Sequence, residues 1–164
     1  MSPLSVIYKY YPHDDDLRQL LLLHSRQVAD RCLAIARRHP ELPLDVQFLY
    51  EAAMLHDIGI LRCYAPSIHC HGTEPYIKHG PIGAEMLRAE GLPRHARVAE
   101  RHTGTGLPGY EPETLEEQVV CYADKFYSKS RPDRVLTVQE TAESLEKFGH
   151  DGVVKFLAWA EKFE

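Results

Sequence analysis

The sequence predicts an all-α protein, a bundle of about six or seven helices around one core. Apolar residues recur every three or four positions along most of the chain, and no stretch shows several strands with alternating apolar and polar residues. Capping residues, prolines and glycines separate the periodic segments at lengths typical of helices. With 164 residues and no internal repeat, the chain is predicted to form a single domain over residues 1–164.

The first helix is predicted to begin within residues 14–16, which are three aspartates suited to a helix start, and to run to about His39. Residues 1–13 are expected to form an extended lead-in because Pro12 limits helix there. His24 lies on the apolar face of the helix. The residues that define this face are Leu17, Leu20, Leu21, Val28, Cys32 and Ile35.

Three more helices are predicted in the first two thirds of the chain. They extend from about Asp45 to His56 with Gly59 as the stop, from about Pro81 to Gly91, and from Pro93 to about His102. Residues 60–78 are expected to be irregular, since this segment contains two prolines and a glycine.

The last third begins with a predicted loop over residues 103–112, which is rich in glycine and proline. A helix is predicted from about Thr114 to Ser128. The run 118–122 resembles a strand in composition, but the apolar period around it favours helix. Two C-terminal helices are predicted within residues 137–163. The first starts with a capping box formed by Thr137 and Glu140 and ends at Gly149, and the second covers Val153 to Phe163.

Charge and cysteine content exclude several classes of protein. The formal net charge of -5 argues against a protein that coats nucleic acid. The longest run of leucines, residues 20–23, is far too short to span a bilayer, and the first residues lack the pattern of a signal peptide. A cytoplasmic location is therefore expected, with no membrane partner. In that compartment the four cysteines should be reduced thiols.

Histidine is abundant, with ten in the chain, and one of them starts the motif His56-Asp57-Ile58-Gly59. This motif lies where a helix is predicted to end. Adjacent residues within a helix point about 100° apart, but at a fraying end both side chains can reach one cation. Imidazole and carboxylate groups are common metal ligands, so the motif predicts a metal site.

Four other candidate ligands recur along the chain at intervals of about one helix and one connection. His24 precedes His56 by 32 residues, and each later ligand follows the previous one by 22 or 23 residues. Metal sites inside helical bundles take their ligands from different helices in this way. The predicted metal ligands are His24, His56, Asp57, His79, His102 and Asp124.

In these residues the sequence resembles the HD superfamily of metal-dependent phosphohydrolases, in the subset that carries HDIG. The superfamily pattern is a histidine, then His-Asp, then a later aspartate. The stretches KHGPIGAEML, RHTGTGLPG and EEQVVCYADK are similar to members with two extra histidines and a second metal, including the YqeK-like dinucleoside tetraphosphate hydrolases. The resemblance covers about residues 17–130 and implies an HD-domain helical bundle.

The resemblance implies a two-metal centre with Asp57 as the bridging and catalytic residue. His24, His56 and Asp124 would complete one coordination sphere, and His79 and His102 would belong to the other. A hydroxide between the metals would be the nucleophile. Iron or manganese is favoured, with cobalt, nickel, zinc and magnesium as alternatives. The chain departs from many members at Ile60, where they carry a lysine.

The expected substrate is a phosphate ester or anhydride in a nucleotide, with a dinucleoside polyphosphate as the sharper option. Lys125, Arg131 and His71 are candidates for binding it. Alternatives are a nucleoside monophosphate or cyclic nucleotide phosphatase, a non-catalytic module that binds metal or nucleotide, and an oxygenase on the same fold. The expected partner is a small phosphorylated molecule rather than nucleic acid, and the oligomeric state stays open.

Two other clusters have simpler interpretations. Cysteine and histidine are zinc ligands, but the group Cys63, His69, Cys70 and His71 lacks zinc-site spacing and fits part of a mobile lid better. The basic residues Arg94, Arg97 and Arg101 favour a solvated helix face over a phosphate site.

Overall fold

The computed structural model describes residues 1–104 and 108–164, and in these residues the chain forms eight α-helices and two small sheets. The all-α prediction is therefore confirmed. The predicted loop over 103–112 includes residues 105–107, which lie outside the described residues. The helices are α1 Pro3–Tyr10, α2 Asp16–Arg38, α3 Val46–Leu55, α4 His79–Ala89, α5 Pro93–Arg101, α6 Leu115–Asp124, α7 Val138–Leu145 and α8 His150–Phe163.

Each sheet is a pair of short antiparallel strands. The strand β1 (Tyr64–Ala65) pairs with β2 (Cys70–His71), so that Tyr64 lies opposite His71. The strand β3 (Tyr127–Ser128) pairs with β4 (Arg131–Val135), with an irregular register. The two hairpins thus follow the His-Asp motif and α6, which are two segments that carry predicted ligands.

The long helix α2 is the centre of the bundle and agrees with its prediction. Asp15 caps it by accepting a hydrogen bond from the backbone N–H of Arg18, which satisfies one of the free donors of the first turn. The helix packs against α3 and α6, and α4 packs closely on α5. His24 faces the interior of this arrangement, with 1% of its surface exposed.

The first helix corrects the expected extended lead-in over residues 1–13. Pro3 occupies the first turn, where the missing N–H costs nothing, and α1 ends at Tyr10, before Pro12. Val6 and Ile7 are buried in the core. Burial of these two side chains explains why eight residues suffice for a helix here.

Tyr11, which follows α1, ties this helix to the His-Asp motif. Its hydroxyl donates to the carbonyl oxygen of Ile58 at 2.7 Å and accepts from the N–H of Leu61 at 3.1 Å. The N-terminal segment therefore braces the backbone immediately after Asp57.

Gly59 does not end the preceding helix, in contrast to the prediction. Helix α3 ends at Leu55, and Gly59 lies inside a 3₁₀ turn over Ile58–Arg62. A Cβ atom at residue 59 would lie 2.3 Å from the carbonyl oxygen of His79 and 2.5 Å from the backbone nitrogen of Gly83. Glycine is therefore required because α4 approaches the motif too closely for any side chain.

Helix α6 ends at Asp124, four residues before the predicted end at Ser128. Thr114 begins the helix with a capping box completed by Glu117. Phe126 is fully buried beyond the end of the helix and contacts the Tyr122 ring. The apolar period therefore continues past the last helical residue, which explains the wrong boundary.

The C-terminal helices α7 and α8 pack on each other, and α8 also packs on α6. Thr137 and Glu140 form the predicted capping box of α7. Phe156 and Phe163 of α8 lie against the Tyr122 ring of α6, at centroid distances of 5.1 and 5.5 Å. The helix that carries Asp124 is therefore held from its other side by α8. None of the described helices is long and apolar enough to cross a membrane.

Candidate metal centre

The structure brings the six predicted ligands together at the middle of the bundle. Most of them lie at the ends of helices, and only His24 lies inside one. His56 and Asp57 follow α3, His79 begins α4, His102 follows α5, and Asp124 ends α6. Five helices therefore converge on one point, as the spacing along the sequence suggests.

The first group of ligands joins α2, α3 and α6. His24 Nε2 lies 2.8 Å from Asp124 Oδ1 and 3.2 Å from Asp57 Oδ2. His56 Nε2 lies 3.2 Å from each of the same two oxygens. The four ligand atoms lie within 4.8 Å of one another, close enough for a single cation to contact them all.

The second group uses the other oxygen of Asp57. Asp57 Oδ1 lies 3.2 Å from His79 Nε2 and 3.1 Å from His102 Nε2, and these two nitrogens are 3.0 Å apart. These three atoms also fall within 4.8 Å of one another. Asp57 therefore belongs to both groups, one oxygen to each.

Three of the histidines are oriented by hydrogen bonds to the backbone that immediately precedes them. The Nδ1 atoms of His56, His79 and His102 donate to the carbonyl oxygens three residues earlier, at 2.6, 2.5 and 2.7 Å. Because a carbonyl oxygen can only accept, each Nδ1 must carry the hydrogen. In the neutral ring Nε2 then presents a lone pair to the centre, which is the form that binds a metal.

The polar atoms of the centre fit a cation. Asp57 is completely buried, and its oxygens accept no well-aligned hydrogen bond from the described residues, although the ammonium of Lys129 lies 2.8 Å from Oδ2. A buried carboxylate without such partners costs several kcal/mol unless a positive charge compensates it, on the order of 3–5 kcal/mol for a broken buried pair. Lone pairs of imidazole nitrogens point at the same oxygens. This arrangement of carboxylate oxygens and imidazole nitrogens is suited to holding a cation.

Burial and neighbouring charges shift the pKa values of three of these residues, His56, His102 and Asp57. Burial disfavours the charged form of His56, yet the nearby carboxylates of Asp57 and Asp124 raise its pKa to about 10. Burial lowers the pKa of His102 to about 4. The pKa of Asp57 is held well below its usual range, because the cationic groups around it outweigh the effect of burial. His56 of the first group therefore holds a proton more strongly than His102 of the second group.

Lys129 is a residue of the centre that the sequence interpretation missed. Its ammonium lies 2.8 Å from Asp57 Oδ2, and its side chain is 12% exposed. It follows Asp124 by five residues, in the turn between β3 and β4, and no periodicity marks it. Ile60, the residue that follows the His-Asp-Ile-Gly motif, is fully buried and carries no charge. The positive charge beside the motif thus comes from a distant part of the chain.

The three predicted substrate-binding residues are not among the metal-binding groups. Lys125 donates to the carbonyl oxygens of Thr103 and Cys121, at 3.2 and 3.3 Å. Arg131 is exposed on β4, and His71 is exposed on β2. Their roles in binding substrate stay predictions.

The cysteine and histidine group around residues 63–71 and the basic face of α5 both lie outside the metal-binding groups. Cys63 and Cys70 are buried free thiols, and the metal-binding groups found among the described residues include neither of them. The arginines of α5 pair with acidic side chains: Arg94 with Asp45, Arg97 with Glu117, and Arg101 with Glu113. These pairs agree with a solvated, charge-balanced helix face.

Two proteins that share a name are similar to this chain over most of its length. A tRNA (cytidine(56)-2'-O)-methyltransferase of Thermoplasma volcanium is 28% identical in an alignment of 173 residues, gaps included, that covers 98% of this chain and 45% of that protein. The protein of the same name from Picrophilus torridus is 28% identical in an alignment of 171 residues, gaps included, that covers 91% of this chain and 46% of that protein. The chain therefore spans about half the length of these two relatives.

An uncharacterized protein of Methanocaldococcus jannaschii is 36% identical over 126 residues, which cover 63% of this chain and 68% of that protein. No solved structure matches the chain. Residues 21–128 match the HD domain. This span contains all six ligands and stops one residue before Lys129. Because the matched residues make up more than half of the chain, it belongs to the HD domain family.

Proposed function

We propose that the protein is a metal-dependent phosphohydrolase that cleaves a phosphate ester or anhydride in a nucleotide-type substrate. The observation that carries this proposal is the division of Asp57 between two groups of ligands, one oxygen to each. Two cations a few ångströms apart are typical of enzymes that displace a group from phosphorus. Among the members of the family, we place the chain with the two-metal HDIG proteins.

When bound, the two cations would neutralise charge on the phosphate and lower the pKa of water at the centre. The chain contributes the geometry. The carbonyl-bound histidines keep Nε2 directed inward without a change of tautomer. The carboxylates of Asp57 and Asp124 contribute two negative charges, so two divalent cations leave an excess of positive charge for an anionic substrate.

The ligands indicate which metals to test first. Four imidazoles and two carboxylates, with no thiolate, suit iron or manganese, and cobalt, nickel, zinc and magnesium are the alternatives. The experiment is metal analysis of the purified protein, followed by activity after loading with each metal. The proposal predicts close to two equivalents of metal per chain.

The activity itself is tested with a panel of substrates. The panel contains a dinucleoside tetraphosphate, nucleoside monophosphates, cyclic nucleotides and a generic phosphate ester. We expect turnover of at least one, with the dinucleoside polyphosphate as the first candidate. Asp57→Ala should abolish both turnover and normal metal content, whereas Asp30→Ala, which removes an exposed carboxylate on α2, should change neither. Full activity of the Asp57→Ala protein would refute the proposal.

A non-catalytic metal- or nucleotide-binding module is the main alternative. It predicts two bound metals with no turnover across the panel in any metal form. The complete ligand set argues for catalysis, because binding alone can be retained with fewer ligands. An oxygenase would instead consume oxygen, so a comparison of products with and without air separates that class.

The names of two relatives suggest a connection with tRNA. More than half of each of those proteins lies outside the match, and we propose that methyl transfer belongs to the unmatched part. The metal centre offers ligands for cations and shows no feature specific to methyl transfer. A tRNA transcript added to the binding and substrate panels tests the connection, since the net charge of -5 predicts no tight binding by this chain alone.

We also propose a cytoplasmic location, which suits the four free thiols of the chain.

A further inference from the structure

The turn between β3 and β4 presents an ammonium to the metal centre. Lys129 Nζ lies 2.8 Å from Asp57 Oδ2, the oxygen that also contacts His24 and His56. The side chain of Lys129 is 12% exposed and that of Asp57 is not exposed at all. A cationic side chain therefore reaches the centre while part of it stays in contact with solvent.

The hairpin that carries this lysine is fixed to the bundle on both sides. Gln27 of α2 donates to the carbonyl oxygen of Pro132 at 2.9 Å, and Leu136 N–H donates to the carbonyl oxygen of Phe126 at 3.0 Å. Phe126 is itself fully buried. The hairpin is therefore tied to α2 and begins at a buried residue, and the side chain of Lys129 is long and flexible.

Lys129 also lines a cavity of about 430 Å³ between the β1–β2 hairpin and the β3–β4 turn. Hydroxyl groups dominate its polar lining. Those of Ser128 and Ser130 are 2.9 Å apart, and Ser67 and Tyr76 also line the cavity. Tyr76 stacks on the ring of the ligand His79 at a centroid distance of 4.4 Å, which places this cavity directly beside the centre.

We propose that this cavity, the lysine pocket, binds a phosphate group of the substrate, with Lys129 as its charged ligand. The inference rests on the proposed function. A divalent cation in the first group of ligands and the Lys129 ammonium would carry like charges at the same oxygen of Asp57, and such charges repel. The four-carbon stem of lysine allows the ammonium to turn into the cavity. There it meets hydroxyl donors, a combination suited to phosphate oxygens.

The test measures phosphate binding without turnover. The manganese-loaded protein is titrated with inorganic phosphate by calorimetry, as the wild type and as Lys129→Met, which keeps the stem but removes the charge. We expect unchanged manganese content and a loss of phosphate affinity of about tenfold or more, because a charge-assisted hydrogen bond contributes about 1.5–3 kcal/mol. Lys129→Arg should recover part of the affinity. Lys147→Met, which removes an exposed lysine, is the control and should bind as the wild type does.

Two results would overturn the lysine pocket. One is wild-type phosphate affinity in Lys129→Met with normal manganese content. The other is loss of manganese in Lys129→Met and in Lys129→Arg, which would make the lysine a structural partner of Asp57. Failure of the proposed function looks different, because the wild type would then bind metal and hydrolyse nothing in the panel. Phosphate binding is measured independently of that outcome.

Discussion

Gly59 positions two parts of the metal centre by having no side chain. A Cβ atom on Gly59 would lie 2.5 Å from the backbone nitrogen of Gly83 and still closer to the carbonyl oxygen of His79, both in α4. This contact holds the start of α4, which carries His79, against the segment that follows Asp57. The second group of ligands depends on that approach.

We therefore expect Gly59→Ala to damage the second group more than the first. An added methyl group in packed backbone costs about 1–3 kcal/mol and pushes α4 outward. The variant should melt at a lower temperature and bind close to one metal per chain. Thermal unfolding and metal analysis check this result. Two metals per chain and an unchanged melting temperature would show that α4 can shift without loss of stability or of the second metal.

Removal of one histidine of the second group should abolish binding of one metal and leave binding of the other unchanged. His102 contacts Asp57 Oδ1 but belongs only to the second group. His102→Ala should therefore reduce the metal content from about two per chain to about one, as measured by elemental analysis. His150→Ala, which removes an exposed histidine paired with Glu146, is the control. If His102→Ala loses both metals, the two groups are not independent sites.

The six residues that lie together at the centre could be selected from the sequence as predicted ligands, whereas Lys129 could not. The His-Asp motif and the regular intervals between ligands are visible in the sequence. Lys129 lies 72 residues from Asp57, and its contact depends on the path of the chain after α6. Sequence periodicity carries no information on such a path.

Four of the eight described helices begin with a capping side chain that the sequence displays. Asp15, Asp45, Thr114 and Thr137 each accept a hydrogen bond from the backbone of the first turn. Prediction failed where tertiary contacts decide the structure. Helix α1 is stabilised by burial of Val6 and Ile7, and β3–β4 forms where the apolar spacing still resembles a helix. Local propensity and long-range packing disagree at both places.

The capping box of α6 leads to a prediction about pH. Glu117 is buried, but N–H donors from Glu113 and Thr114 and the guanidinium of Arg97 lower its pKa. A lowered native pKa means that the charged form stabilises the fold above about pH 4.3, its ordinary value, and that this contribution disappears as the pH falls through the native pKa.

Glu117→Gln should therefore destabilise the protein by about 1–2 kcal/mol near pH 7, and the difference should shrink as the pH approaches 3. Denaturant unfolding of both proteins over this range provides the measurement. Glu143→Gln, on the exposed side of α7, should show no comparable difference at any pH. If the difference in unfolding free energy between the two proteins stays constant with pH, the charge of Glu117 does not cause the stabilisation.

At the scale of the whole molecule, the centre joins elements that are far apart in the sequence. Its ligands come from α2, from the segment after α3, and from the ends of α4, α5 and α6. The all-α class followed from periodicity, whereas the order in which these helices pack did not. The meeting point of these helices was predictable only because residues proposed to share a metal centre must lie close together.

Metal binding should therefore stabilise the entire fold. A ligand that binds only the folded state at 1,000 times its dissociation constant adds about 4 kcal/mol of stability. Removal of metal with a chelator should lower the melting temperature, and manganese should restore it. In Asp57→Ala the same treatment should have a much smaller effect. Equal melting temperatures of the metal-free and metal-loaded wild type would contradict this expectation.

The hydrogen bonds from Nδ1 of His56, His79 and His102 have a consequence for how such proteins diverge. Each ligand and the carbonyl that orients it are three residues apart, so they form a self-contained unit of four residues. A change of length in the connections outside these units leaves them intact. The direction of the three Nε2 atoms and the shape of the surrounding surface can therefore change independently of each other.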